Sequence, residues 1–176
     1  MFISPIKPEI VRPYLSADLK TRPLAVLSAQ PFISTEIFRA EQIFQARAGI
    51  TISYLSPEFE SQFCSLEENV LNRRQPKDWI FSLHKIIVPA MELPICIAKT
   101  PLQLFAVCSL ILSGSLPLNG SVTVSCVKDR HGDLRLVAAR WGGQGWVFRS
   151  YPADFKGVLR KDRQFLTEFS MTSVIH

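Results

Sequence analysis

The sequence has only four cysteines and three histidines, too few and too scattered to build the metal and redox motifs these residues usually form. Cys64, Cys96, Cys108 and Cys126 form no Cys-x-x-Cys pair, and no histidine lies close by to complete a zinc site. Each sits in apolar company, as in "PICIA" and "AVCSL", where a thiol packs as a small hydrophobe. Buried thiols are therefore expected, with a disulfide pair or a metal site as the alternatives. His131 falls in a turn, His176 is the last residue, and His84 lies in an apolar segment suited to a core or boundary histidine.

Catalytic signatures are equally scarce. There is no Gly-x-Ser-x-Gly elbow and no Gly-Lys-Ser/Thr to end a phosphate loop, and the glycines from Gly142 to Gly145 would join strands rather than open a Rossmann helix. Glu67 and Glu68 fall on the polar side of an expected helix, a solvated position rather than an acid–base pair. Neither an enzyme nor a cofactor is expected. Long hydrophobic runs are missing too: the most apolar stretch, Leu102 to Leu112, has eleven residues, whereas a membrane-spanning helix needs roughly 20. The residues after Met1, "FISPIKPEIVRP", lack the basic start, apolar core and small-residue cleavage site of a signal peptide. A cytoplasmic, reducing location is the expectation.

What is present points to a folded α+β chain. Hydrophobic residues make up 47% and charged residues 20%, enough apolar surface to offset the entropy of ordering the chain. One domain over residues 1–176 is expected, with a Pro-rich N-terminal arm (about 1–31) and a loosely held C-terminal tail (about 165–176). Pro5, Pro8, Pro13, Pro23 and Pro31 prevent a long helix in the arm, although "PLAVLSA" has room for a short strand. Ser34 or Thr35 then caps an expected helix to about Ala48, stopped by Gly49, with Ile37, Ala40 and Phe44 facing the core.

"ITISY" alternates as a strand with Ile50, Ile52 and Tyr54 on one face. Ser56 caps a second helix with Pro57 in its first turn, and Phe59, Phe63, Leu66 and Val70 make its apolar stripe before Arg73 and Arg74. "KDWIFSLHKIIV" fits a helix or a strand, and "ELPICIA" reads as a strand. Thr100, Pro101 and Gly114 bracket a buried helix. Three antiparallel strands follow: Val122, Val124 and Cys126 on the first, Leu134, Leu136 and Ala138 on the second, Trp146, Phe148 and Ser150 on the third. After Pro152 the pattern is weakly helical. The expected architecture is an antiparallel sheet, this C-terminal three-stranded meander plus one to three N-terminal strands, packed against two to four helices.

The charge excess is local. From Lys128 to Arg163 nine basic residues stand against four acidic ones, while the rest of the chain balances. An acidic partner is therefore to be sought there. Within it, "RWGGQGW" sets two tryptophans around a glycine-rich turn, where they can pair across a hairpin or, if exposed beside Arg140, Arg149 and Tyr151, contact a partner. The candidate partner-binding residues are Arg140, Trp141, Gln144, Trp146, Arg149 and Tyr151. The candidate basic patch is Lys128, Arg130, Arg135, Lys156, Arg160, Lys161 and Arg163.

The order of segments from Glu92 to Cys126, with further strands to Ser150, resembles the surface-presentation domain of flagellar and type III secretion sorting-platform proteins. Those are small β-rich assembly modules. Where they usually carry Gly-Asp before the leucines, this chain has Ser113-Gly114-Ser115. The functional expectation is a non-catalytic protein-interaction or assembly module, a subunit or adaptor that meets a protein partner or itself. The alternative is a nucleic-acid-binding protein that uses the basic, aromatic segment 128–163.

Overall fold

The computed structural model of the chain describes residues 15–21, 32–39, 43–68, 80–86 and 101–169. Their elements are β1 (Leu15–Thr21), β2 (Phe32–Ile33), β3 (Ala46–Arg47), β4 (Ile50–Leu55), α1 (Pro57–Phe63), β5 (Glu67–Glu68), β6 (Ile80–Ile86), α2 (Leu104–Leu112), β7 (Thr123–Lys128), β8 (Leu134–Trp141), β9 (Trp146–Pro152) and β10 (Gln164–Phe169). Eight strands make one sheet in the order β1-β6-β10-β7-β8-β9-β4-β3, and β2 pairs with β5 apart from it. The class is α+β.

The meander β7-β8-β9 forms as its alternation and turn residues require, but the sheet around it is mixed rather than antiparallel. β10 runs parallel to β7, and β4 runs parallel to β9. Parallel neighbours need long connections, and the alternation within a strand carries no information about its neighbour's direction. β10 also corrects the expected tail: Phe165 and Leu166 are buried in a strand between β6 and β7.

Two helices are present among the described residues, the low end of the expected range. Ser56 caps α1, accepting a hydrogen bond from the Phe59 N–H at 3.2 Å, and Pro57 opens it. The helix ends at Phe63, so Glu67 and Glu68 pair with Ile33 and Phe32 in a short ribbon instead of lying on a helix face. In α2 the residues from Leu104 to Ile111 are all buried, and Gln103 takes the cap position. The helix expected from Ser34 to Ala48 does not form. Among its described residues only a 3-10 turn, Ser34–Glu36, is helical, and Ala48 (φ 47°) and Gly49 (φ 81°) instead form the two-residue turn between β3 and β4. The Ser34 hydroxyl is engaged by the end of α1, donating to the Phe63 carbonyl and accepting from the Leu66 N–H. Ile37 is buried as expected, whereas Phe44 is 58% exposed.

Within "KDWIFSLHKIIV" the described residues Ile80–Ile86 form strand β6. Residues 23–29, "ELPICIA", Cys96, Thr100, Ala40, Val70, Arg73, Arg74 and His176 lie outside the described residues.

One face of the meander is covered by the helices and the other only in part, and this fixes where a surface site can lie. One face packs Val137, Ala139, Trp146 and Phe148 against α1 and α2. Phe38, Phe59 and Phe148 meet there at ring-centroid distances of 5.0 to 5.2 Å. The opposite face carries Val124, Cys126, Leu136 and Ala138, capped in part by Val158 and Leu159 from the segment that leads into β10.

Candidate binding surface

Strand register brings the arginines of the basic segment together. Ala138 pairs with Arg149 and Arg140 pairs with Val147, so the two arginines lie on the same face of the β8–β9 hairpin. β10 enters parallel to β7, with Gln164 opposite Thr123, which sets Arg163 beside Val122 at the same end of the sheet. The three side chains line a hollow of about 210 Å³ over Val122, Ala138 and Val147, with Tyr151 at one side.

None of the three guanidiniums has an ion-pair partner among the described residues. Two are held in place nonetheless. The Arg149 guanidinium lies 5.1 Å from the centre of the Tyr54 ring, a cation–π contact. Arg163 donates from Nη1 to the Val158 carbonyl at 2.9 Å. Tyr151 stacks on Phe155, with ring centroids 5.2 Å apart and planes 15° apart. A second hollow of about 330 Å³ adjoins the first through Arg149 and Tyr151, with Glu58 and Phe155 at its border.

The six candidate partner-binding residues therefore divide. Arg140, Gln144 and Arg149 are exposed and Tyr151 is half-buried. Trp146 is 4% exposed and belongs to the core, where Trp141 packs partly against it. The tryptophans thus pair across the hairpin, and the aromatic groups beside the arginines are Tyr54, Tyr151 and Phe155.

The basic patch divides as well. Arg135 is tied to Asp129, with Nε 3.0 Å from Oδ2, and lies 3.9 Å from Asp133. Asp129 is buried at the base of the "DRHGD" turn and accepts from the His131 and Asp133 N–H groups. Burial alone raises its carboxyl pKa, but the Arg135 hydrogen bond, the two N–H donors and the Arg135 charge together hold it below its ordinary value. Arg130 donates to Ser65 Oγ at 2.7 Å and to His131 Nε2 at 3.1 Å, at the end of the meander away from the tryptophans. Lys128 is exposed at that same end. Arg160, which donates to the Gly157 carbonyl, and Lys161 are exposed on the segment before β10, and Lys156 belongs to its 3-10 turn. Of those whose side chains are described, Arg163 alone lines the arginine hollow.

Tyr54 and Phe155 were not legible as site residues. Alternation puts Tyr54 on the face of Ile50 and Ile52, but the β4–β9 register shifts between Ile52 and Tyr54, turning Tyr54 to the arginine face. Phe155 joins through a loop contact that no local pattern encodes.

Among the described residues no group of three or more His, Cys, Asp or Glu side chains is placed to hold a metal ion. No disulfide joins Cys64, Cys108 or Cys126. No helix among them is long and apolar enough to cross a membrane. No family model, curated protein or solved structure matches the chain.

Proposed function

We propose that the protein is a non-catalytic interaction module, a subunit or adaptor that docks an acidic segment of a partner protein on the face of the meander carrying Arg140, Arg149 and Arg163. One observation carries this reading: three arginines from separate chain segments share a hollow whose lining, among the described residues, contains no carboxylate. Like charges gathered without compensation repel one another, so an acidic ligand that neutralises them gains both attraction and relief of that repulsion. Arginine also presents planar forks of donors that match carboxylate and phosphate groups. A second copy of the chain is the less favoured partner, because its own net charge is +5.

Affinity purification from nuclease-treated native extract, with wild-type protein beside the double variant Arg140→Glu/Arg149→Glu, tests the proposal. The expected result is a set of proteins retained by the wild type and lost by the variant. Equal recovery by both would refute it.

Nucleic-acid binding is the second reading. It is favoured by the stacked Tyr151–Phe155 pair and the exposed Tyr54 ring beside the arginines, since aromatic rings next to basic groups are platforms for unpaired bases. In the same purification this reading requires recovery of the associated proteins to depend on intact nucleic acid.

A further inference from the structure

We infer that the hollow between Arg140, Arg149 and Arg163 recognises a phosphate monoester, so that the partner segment docks there when one of its hydroxyl side chains is phosphorylated. This rests on the acidic-segment reading above and narrows it to one chemical group.

The first argument is stoichiometric. A carboxylate carries one charge on two oxygens, so a single bidentate guanidinium engages both oxygens and neutralises it, leaving two further arginines without a counter-charge. A phosphate monoester carries about −1.5 to −2 charges at pH 7 and three strong acceptor oxygens, and so has a lone-pair site for each of three guanidinium forks. A nucleic-acid phosphodiester carries one charge, leaving more of the excess uncompensated. Three arginines in one hollow match the monoester best.

The second argument is preorganisation. Holding Arg149 against Tyr54 and Arg163 against the Val158 carbonyl removes rotamer freedom before a ligand arrives, which lowers the entropy cost of fixing them around an anion. Arg140 has neither an ion pair nor a hydrogen bond to any described residue and is free to close on the ligand. The apolar floor of Val122, Ala138 and Val147 gives the group's oxygens no competing protein acceptor. The Tyr151–Phe155 stack borders the hollow and offers apolar surface to the residues flanking the phosphorylated side chain.

The test uses the full chain and titrates the arginine Nε–H signals by NMR with four probes. These are a short Gly/Ala peptide with one central phosphoserine, the same peptide with Glu, the same peptide with Ser, and a single-stranded oligothymidylate. The phosphoserine peptide is expected to bind at least about tenfold more tightly than the Glu peptide. Arg140→Gln and Arg149→Gln are each expected to weaken it about tenfold, while Lys128→Gln at the far end of the meander leaves it unchanged. If the Glu peptide binds as tightly at the same arginines, phosphate recognition is wrong and the acidic-segment reading stands. If no peptide moves these signals, both fail. Tighter binding of the oligothymidylate at these arginines overturns the inference in favour of the nucleic-acid reading. An equal loss in Lys128→Gln overturns it in favour of diffuse charge attraction.

Discussion

Trp141 and Trp146 face each other across the β8–β9 hairpin, their ring centroids 5.9 Å apart and their planes at 69°. The edge-to-face contact joins a half-buried ring to one that is 4% exposed. The hairpin is therefore anchored in the core at its tip, and the arginines on its other face are displayed from a rigid support.

That asymmetry sets unequal costs for removing the two rings. Trp146→Ala is expected to destabilise the fold by about 3–5 kcal/mol, since it empties a core position. Trp141→Ala is expected to cost about 1 kcal/mol, near the value of an aromatic pair. A double-mutant cycle read by chemical denaturation should return a coupling of about 0.5–1.5 kcal/mol. Equal single costs would contradict the asymmetric burial.

Gly145 is required by close approach and Gly143 by conformation. A Cβ on Gly145 would sit 2.9 Å from the Ser53 backbone nitrogen and 3.1 Å from the Ile52 carbonyl carbon. There the Ser53 hydroxyl also donates to the Gly145 carbonyl. Gly145→Ala should therefore cost about 1–3 kcal/mol and shift the amide signals of Ile52 to Tyr54, where β4 joins β9. Gly143 (φ 90°) has open space around it, so Gly143→Ala should cost about 1–2 kcal/mol and perturb only the turn. Amide chemical-shift maps of the two variants distinguish these effects.

Asp129 gives the meander a predictable pH dependence. Its carboxyl is held below its ordinary value in the folded protein despite burial, so the unfolded chain takes up its proton first as pH falls. The stability it contributes is present above the unfolded pKa of about 3.9 and is lost as pH falls through the lower folded value. Wild type should exceed Asp129→Asn in denaturation midpoint at pH 6, with the gap closing at pH 3. Asp129→Ala should cost about 2–3 kcal/mol at neutral pH, because two turn N–H groups and Arg135 lose their acceptor.

Cys126 is buried on the β7 face opposite the helices, and that burial pushes its thiol pKa up to about 11. Since the thiolate is the reactive form, alkylation of the native protein at pH 8 should leave Cys126 unmodified while half-buried Cys64 reacts faster. Peptide mapping by mass spectrometry reads both, and denaturant should make them equivalent. Rapid native labelling of Cys126 would contradict its packing.

By itself the sequence determined the meander, the capped helix α1, the buried helix α2 and the location of the charge excess. Each of these rests on neighbours in sequence: alternating residues, Ser56 before Pro57, an apolar run ended by Gly114, basic residues in one segment. The tertiary structure alone decided how these pieces meet. Parallel pairing of β4 and β10 with the meander, the bulge that turns Tyr54 over, and the strand made from Gln164–Phe169 depend on contacts between residues far apart in the chain. The same holds for the binding surface. Arg140, Arg149 and Arg163 were each visible as basic residues, but only strand register placed two of them on one face and brought the third to the same end. Register follows from which residues must be buried, and these strands bury residues on both faces, so no single strand's pattern contains the answer.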